Sequence, residues 1–185
     1  LSRDDLFSLE RYADERPAFR AKVLAHKRAR QVPIGPNVTL FFEDRLTIQY
    51  QIQEMLRVER IFERAGIEEE LEAYNPLIPD GTNLKATMMV EFPDVAQRRD
   101  ALAKLKGAEH RVWMAVGKGE RIFAIADEDL ERSNDEKTSA VHFLRFELDA
   151  AARAAMRGGA PVSVGLDHDE YRYEVNPLSE PVRDA

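Results

Sequence analysis

The sequence predicts an α+β protein in which N-terminal helices pack on an antiparallel sheet built from a duplicated β-α-β-β unit. Three observations carry this: apolar residues at helical spacing through the first third, strict apolar-polar alternation from Leu84, and a strand-helix-strand-strand order that recurs once.

The elements follow in order. Asp4 and Asp5 precede the apolar set Leu6, Leu9 and Ala13, and Pro17 is expected to close that helix and open a second carrying Phe19, Val23 and His26. Pro33, Gly35 and Pro36 end the helical run, and residues 38–42 form a short β-branched and aromatic strand. Asp44 is the N-cap of a long helix expected to run to about Ala65 and to stop at Gly66. Ile48, Ile52, Met55, Leu56 and Phe62 lie on one face of it, with Leu46, Tyr50 and Ile61 as a second apolar edge. A helix apolar along two edges is sandwiched between layers or shared with a partner subunit. Glu59 interrupts the main apolar face, so it is expected to be buried and either paired or ligating, because an isolated buried charge costs several kcal/mol. Residues 67–74 form a short acidic helix. The loop over residues 75–83 is stiffened by Pro76 and Pro79 and turns at Asp80 and Gly81.

In the second half, Leu84, Ala86, Met88, Val90 and Phe92 face one way and Lys85, Thr87, Met89 and Glu91 the other. Asp94 caps a helix carrying Val95, Leu102 and Leu105 that ends at Gly107. A hairpin then runs from Val112, Met114 and Val116 through Gly117 and Gly119 to Ile122, Phe123 and Ile125. The order repeats with a strand over residues 138–148, a helix capped by Asp149 and stopped by Gly158 and Gly159, and a hairpin containing Val162, Val164, Tyr171, Tyr173 and Val175. Met114, Val116, Gly117, Phe123 and Ile125 match Val162, Val164, Gly165, Tyr171 and Tyr173 at one constant offset. The organisation expected is a helical half over residues 1–83 and a duplicated sheet module over residues 84–185, with repeats at 84–127 and 138–176 and one shared core. Paired first strands would leave one sheet face open, and the N-terminal helices would close it. Under that alignment Glu91 and Arg145 meet near a pseudo-twofold axis as a buried pair, and His142 falls where Met88 stands.

Composition narrows the function. The chain has 185 residues, 44% hydrophobic and 33% charged, which is the make-up of a globular domain. It has no cysteine, which excludes disulfides, thiol nucleophiles and thiolate metal sites. The net charge of −7 argues against broad polyanion binding. No apolar run approaches the roughly 20 residues that cross a bilayer, and no secretory signal is visible in the first residues, so a cytoplasmic location is expected.

No nucleophile elbow, phosphate loop or dinucleotide fingerprint occurs, and none of the 4 histidines stands at helical metal-ligand spacing from another, so neither a metal nor a cofactor is expected. The ligand-binding candidates are Arg57 and Glu59 on the long helix, Asn75, Asp80, Asn83 and Lys85 in and after the stiff loop, and Glu91, His142 and Arg145 on the first strands. Two alternatives stay open: a small-molecule or metal-dependent enzyme with its site between the helical half and the sheet, and nucleic-acid binding by Arg16, Arg20, Lys22, Lys27, Arg28 and Arg30. Those six stand in a stretch, residues 16–42, that has no acidic residue. The missing aromatic interleaving and the acidic Glu68, Glu69, Glu70 and Glu72 favour a solvated or self-paired basic face.

The stretches FEDRLTIQYQIQEMLR (residues 42–57), YNPLIPDGTNLKAT (74–87), EHRVW (109–113) and VHFLRFE (141–147) resemble a bacterial family of proteins of unknown function, across nearly the whole chain. The resemblance implies a genomic setting beside rubrerythrin and an iron–sulfur oxidoreductase, and no assigned activity. In that setting the expected function is a non-catalytic accessory or binding protein, homodimeric in form, with one of those redox proteins as its partner.

Overall fold

The computed structural model describes residues 1–128, 132 and 137–185. The chain divides into a helical unit, residues 1–29 and 43–79, and a sheet unit, residues 30–42 and 80–185. Each has its own buried apolar cluster.

The helical unit contains α1 (Leu9–Lys27), α2 (Arg45–Val58) and α3 (Arg64–Tyr74). Pro17 lies inside α1 instead of separating two helices. An internal proline costs about 3 kcal/mol. The burial of Tyr12 and Val23, both 0% exposed, on either side of it offsets that cost. Phe19 adds edge contacts to the Phe7 and Tyr12 rings at 5.5 and 6.2 Å. One carboxylate fastens α1 to α2. Glu54 Oε1 accepts from the Tyr12 hydroxyl and Arg16 Nε, both at 2.7 Å, and Oε2 accepts from Arg16 Nη2 at 2.9 Å.

Asp44 caps α2, accepting from the Leu46 and Thr47 amides at 3.0 and 2.9 Å. The helix ends at Val58, well short of Ala65. Arg60 takes a φ of 56°, and the Ile61 amide donates to the Leu56 carbonyl at 2.9 Å, the closing bond of a Schellman turn. Ile61 folds back onto the cluster of Ile48, Ile52, Leu56 and Leu71. Gly66 accordingly sits within α3 and stops nothing. Phe62, expected on the apolar face, is 71% exposed.

Among its described residues the sheet unit holds two antiparallel sheets where one was expected. The first has the order β1 (Gln31–Ile34), β2 (Val38–Phe42), β3 (Asn83–Val90), β7 (Val141–Glu147), β6 (Ile125–Ala126); the second has β5 (Ile122–Phe123), β4 (Val112–Val116), β8 (Val162–His168), β9 (Tyr171–Val175). β1 is absent from the sequence reading because Pro33 cannot donate to a ladder. At a sheet edge that missing donor is tolerated, and β1 is the edge strand. Gly35, at φ 70°, makes the β1–β2 turn, where an added Cβ would meet the Tyr171 hydroxyl and the Tyr173 ring within 2.7 Å. Residues 122–125 read as one strand but change sheets at Ala124: β5 pairs with β4 and β6 with β7.

The two sheets enclose one core. Val32, Leu40, Met88 and Phe146 come from the first sheet and Met114, Val164 and Leu166 from the second. The flank that a single sheet would leave open is thus covered by the hairpin strands themselves. Between β3 and β4, α4 (Val95–Lys104) adds Leu102; between β7 and β8, α5 (Ala150–Arg157) rests Ala152 and Met156 against the core. Asp94 and Asp149 cap these helices, accepting from the Gln97 and Ala152 amides at 2.8 and 2.7 Å. A short α6 (Glu180–Asp184) follows β9.

β3 pairs antiparallel with β7, and Met88 lies directly opposite His142; β4 pairs with β8, Met114 opposite Val164 and Val116 opposite Val162. This is symmetry of pairing, distinct from common ancestry of the halves. It also separates the predicted ion pair. Glu91 is three residues beyond Met88 and Arg145 three beyond His142 on strands that run in opposite directions. At about 3.4 Å per residue they end roughly 20 Å apart along the sheet.

Candidate functional site

The polar convergence lies inside the sheet unit, around His142. Strand alternation turns His142, Leu144 and Phe146 inward, and His142 is 0% exposed. Glu109 belongs to a 3-10 turn, Ala108–Arg111, that follows α4; its neighbours Ala108 and Val112 are core residues and draw the carboxylate in, leaving it 3% exposed. Thr138, also buried, precedes β7 and is anchored by its amide on the Leu102 carbonyl at 3.0 Å. Asp127 follows β6 at a φ of 51°, a conformation in which its side chain turns onto β7. Its Oδ1 accepts from the Phe143 amide at 3.1 Å and lies 3.3 Å from Arg132 Nε.

These groups form a closed network. His142 Nδ1 meets Asp127 Oδ2 at 2.5 Å. On the other side of the ring, Nε2 is 2.8 Å from Thr138 Oγ1, 3.1 Å from the Ser139 carbonyl and 4.0 Å from Glu109 Oε2. The Thr138 hydroxyl donates to Glu109 Oε2 at 3.1 Å. A carbonyl only accepts, so Nε2 is the donor toward Ser139. Glu109, Asp127 and His142 each place one ligand atom within 4.8 Å of the others. Such a network can hold a proton or an ion, and its closure keeps out anything larger.

Of the residues predicted from sequence, only His142 belongs to this cluster. Arg145 faces the opposite side of β7, where it binds Glu128 bidentately at 2.8 Å and Glu147 at 2.5 Å. Glu128 is held below the usual carboxylate range by that guanidinium, and Arg145 is raised in turn. Lys85 stands across from Arg145 on β3. Glu91 is exposed and accepts from Thr39 Oγ1 at 3.3 Å. Asp80 is an exposed turn residue whose carboxylate, bonded by the Thr82 hydroxyl and amide, sits below its ordinary range; Asn83 is buried and accepts from the Asp80 amide at 3.3 Å.

In the helical unit, Asn75 ties down the Leu1 amino group at 2.8 Å, and Arg57 lies on Glu54 at 3.3 Å. Glu59 is exposed at the C-cap of α2, so the expectation that it is buried is corrected. The cause is the turn at Arg60, which ends the helix before its apolar face could enclose position 59. One member of the basic stretch is paired here, Arg16 on Glu54 at 2.7 Å; the nearby His26 Nε2 lies 2.6 Å from Asp44 Oδ2. The acidic residues of α3 do not supply those contacts; Glu68 pairs with Arg64 at 2.8 Å.

Sequence reasoning missed Glu109, Asp127 and Thr138. Glu109 had only a weak signal, its place beside the apolar Ala108; Thr138 had a better one, since a strand over residues 138–148 puts it on the face of His142, and Asp127, in a connection of no fixed period, had none.

Fold and site together define a two-unit α+β protein with an enclosed carboxylate–histidine cluster. The chain belongs to the DUF3501 family, proteins of unknown function, which it matches over residues 1–185. It is similar to a protein of unknown function from Burkholderia pseudomallei K96243, whose crystal structure was determined at 1.90 Å: 52% identity, 99% of this chain and 95% of that chain covered, and a TM-score of 0.94. No curated protein matches the chain. Among the described residues, no helix is long and apolar enough to cross a membrane.

Proposed function

We propose that this chain is a non-catalytic binding protein, an accessory to redox chemistry in the cytoplasm, with the His142 cluster as its binding centre. The observation that supports this reading is closure: His142, Thr138 and Glu109 are 0%, 1% and 3% exposed, so the converged polar groups are sealed from any substrate-sized molecule. An enzyme acting on small molecules needs its acid, base or nucleophile within hydrogen-bond reach of the reacting atom. The redox setting follows from the family resemblance carried by residues 42–57, 74–87, 109–113 and 141–147.

The protein is expected to work as a homodimer that engages rubrerythrin or an iron–sulfur oxidoreductase, the partners the family resemblance implies. Light scattering of the purified chain, followed by calorimetric titration against each of those two proteins, tests this. A dimer that binds one of them supports the reading. A strict monomer that binds neither overturns it.

A further inference from the structure

We infer that His142 Nε2, Glu109 Oε2, Thr138 Oγ1 and the Ser139 carbonyl form a site for one divalent cation of the manganese, iron(II) or zinc class. The inference rests on reading the cluster as a binding centre and specifies what it binds.

The geometry comes first. Donors about 2.1 Å from a common cation stand about 3.4 Å apart in a tetrahedral arrangement and about 3.0 or 4.2 Å apart in an octahedral one. Here Nε2 lies 2.8 Å from Thr138 Oγ1, 3.1 Å from the Ser139 carbonyl and 4.0 Å from Glu109 Oε2, with Thr138 Oγ1 and Glu109 Oε2 separated by 3.1 Å. These four separations lie close to the octahedral values.

Chemistry selects the class of ion. One imidazole nitrogen with one carboxylate and two neutral oxygens is too hard for copper(I), and the imidazole disfavours calcium or magnesium, which take oxygen shells. Asp127 is a positioning residue. By accepting at Nδ1 it fixes the ring and directs Nε2 inward, the carboxylate–histidine arrangement found behind metal-bound imidazoles. It is itself held by the Phe143 amide and the Arg132 guanidinium. The site joins the turn after α4 to the start of β7, so an ion there would cross-link segments of distant sequence.

The test uses tag-free protein, stripped with chelator and then titrated separately with Mn²⁺, Zn²⁺ and, as an optical probe, Co²⁺, with metal counted by mass spectrometry after desalting. About one equivalent is expected, with a rise in Tm and a cobalt spectrum of nitrogen–oxygen coordination. Glu109→Gln, which preserves shape, is expected to abolish loading. Asp127→Asn is expected to keep the stoichiometry with 10- to 100-fold weaker affinity. Exposed Glu91→Gln should load like the wild type. The inference is overturned if the wild type retains less than about one-tenth equivalent of every ion and its Tm does not move, or if Glu109→Gln loads normally. The titration needs no partner protein, so its failure leaves the accessory role standing, and a metal-loaded protein that binds no partner fails the accessory role alone.

Discussion

Replacing Glu54 by Gln tests the electrostatic argument for the helical unit most directly. The carboxylate receives the Tyr12 hydroxyl and a bidentate Arg16, and Tyr12 is fully buried. The Arg16 guanidinium, chiefly, holds the Glu54 carboxyl at about 2, against an ordinary 4.5. At about 1.4 kcal/mol per pH unit that interval corresponds to about 3 kcal/mol. The Arg16 side chain is 32% exposed, so solvent screening lowers the expected loss to about 2 kcal/mol at pH 7. Because the folded pKa is depressed, this stabilisation is complete above the unfolded value of 4.5 and disappears as pH falls toward 2. Urea unfolding followed by far-UV circular dichroism should show E54Q about 2 kcal/mol less stable at pH 7 and equal to the wild type near pH 2. A difference under about 0.5 kcal/mol at pH 7, or one that persists unchanged at pH 2, refutes the reasoning.

Other positions give independent expectations. In Gly165→Ala the new Cβ would lie 2.5 Å from the Trp113 ring, so overpacking of about 1–3 kcal/mol is expected, read by denaturant unfolding with the fluorescence of the protein's single tryptophan. Tyr171→Phe removes the hydroxyl that donates to the Ile34 carbonyl at 2.6 Å and accepts from the Asn37 amide at 3.0 Å; about 1–3 kcal/mol should be lost, with faster amide exchange at Asn37. Asp149→Ala strips the N-cap of α5 and should cost about 1 kcal/mol in thermal unfolding, whereas Asp149→Asn, which still accepts from Ala152, should cost less than half of that.

Where local chemistry decides a boundary, the sequence was sufficient. Asp44, Asp94 and Asp149 cap the helices they precede, because a short acceptor side chain meets the free amides of a first turn wherever that turn sits. The alternation from Leu84 was readable for the same kind of reason: successive side chains on a strand point to opposite faces. Pro17 and the end of α2 were misread because their outcome depends on burial. Nothing local allows a proline inside α1 or puts an arginine at positive φ; the burial of Tyr12 and Val23, and of Ile61 against Leu56, does.

The candidate site divides along the same line. His142 was legible because it breaks a strand's apolar face, a pattern of period two that needs no partner to be recognised. Glu109, Asp127 and Thr138 arrive from a 3-10 turn, the end of β6 and the lead into β7, and no spacing in the chain relates the three to one another. What residue order determined was the class of fold, the helix caps, the strand faces and one inward histidine, all set by neighbours a few residues apart. The second sheet, the separation of Glu91 from Arg145 and the carboxylates around His142 came only from the tertiary structure, because strand register and core closure are set by contacts between segments tens of residues apart.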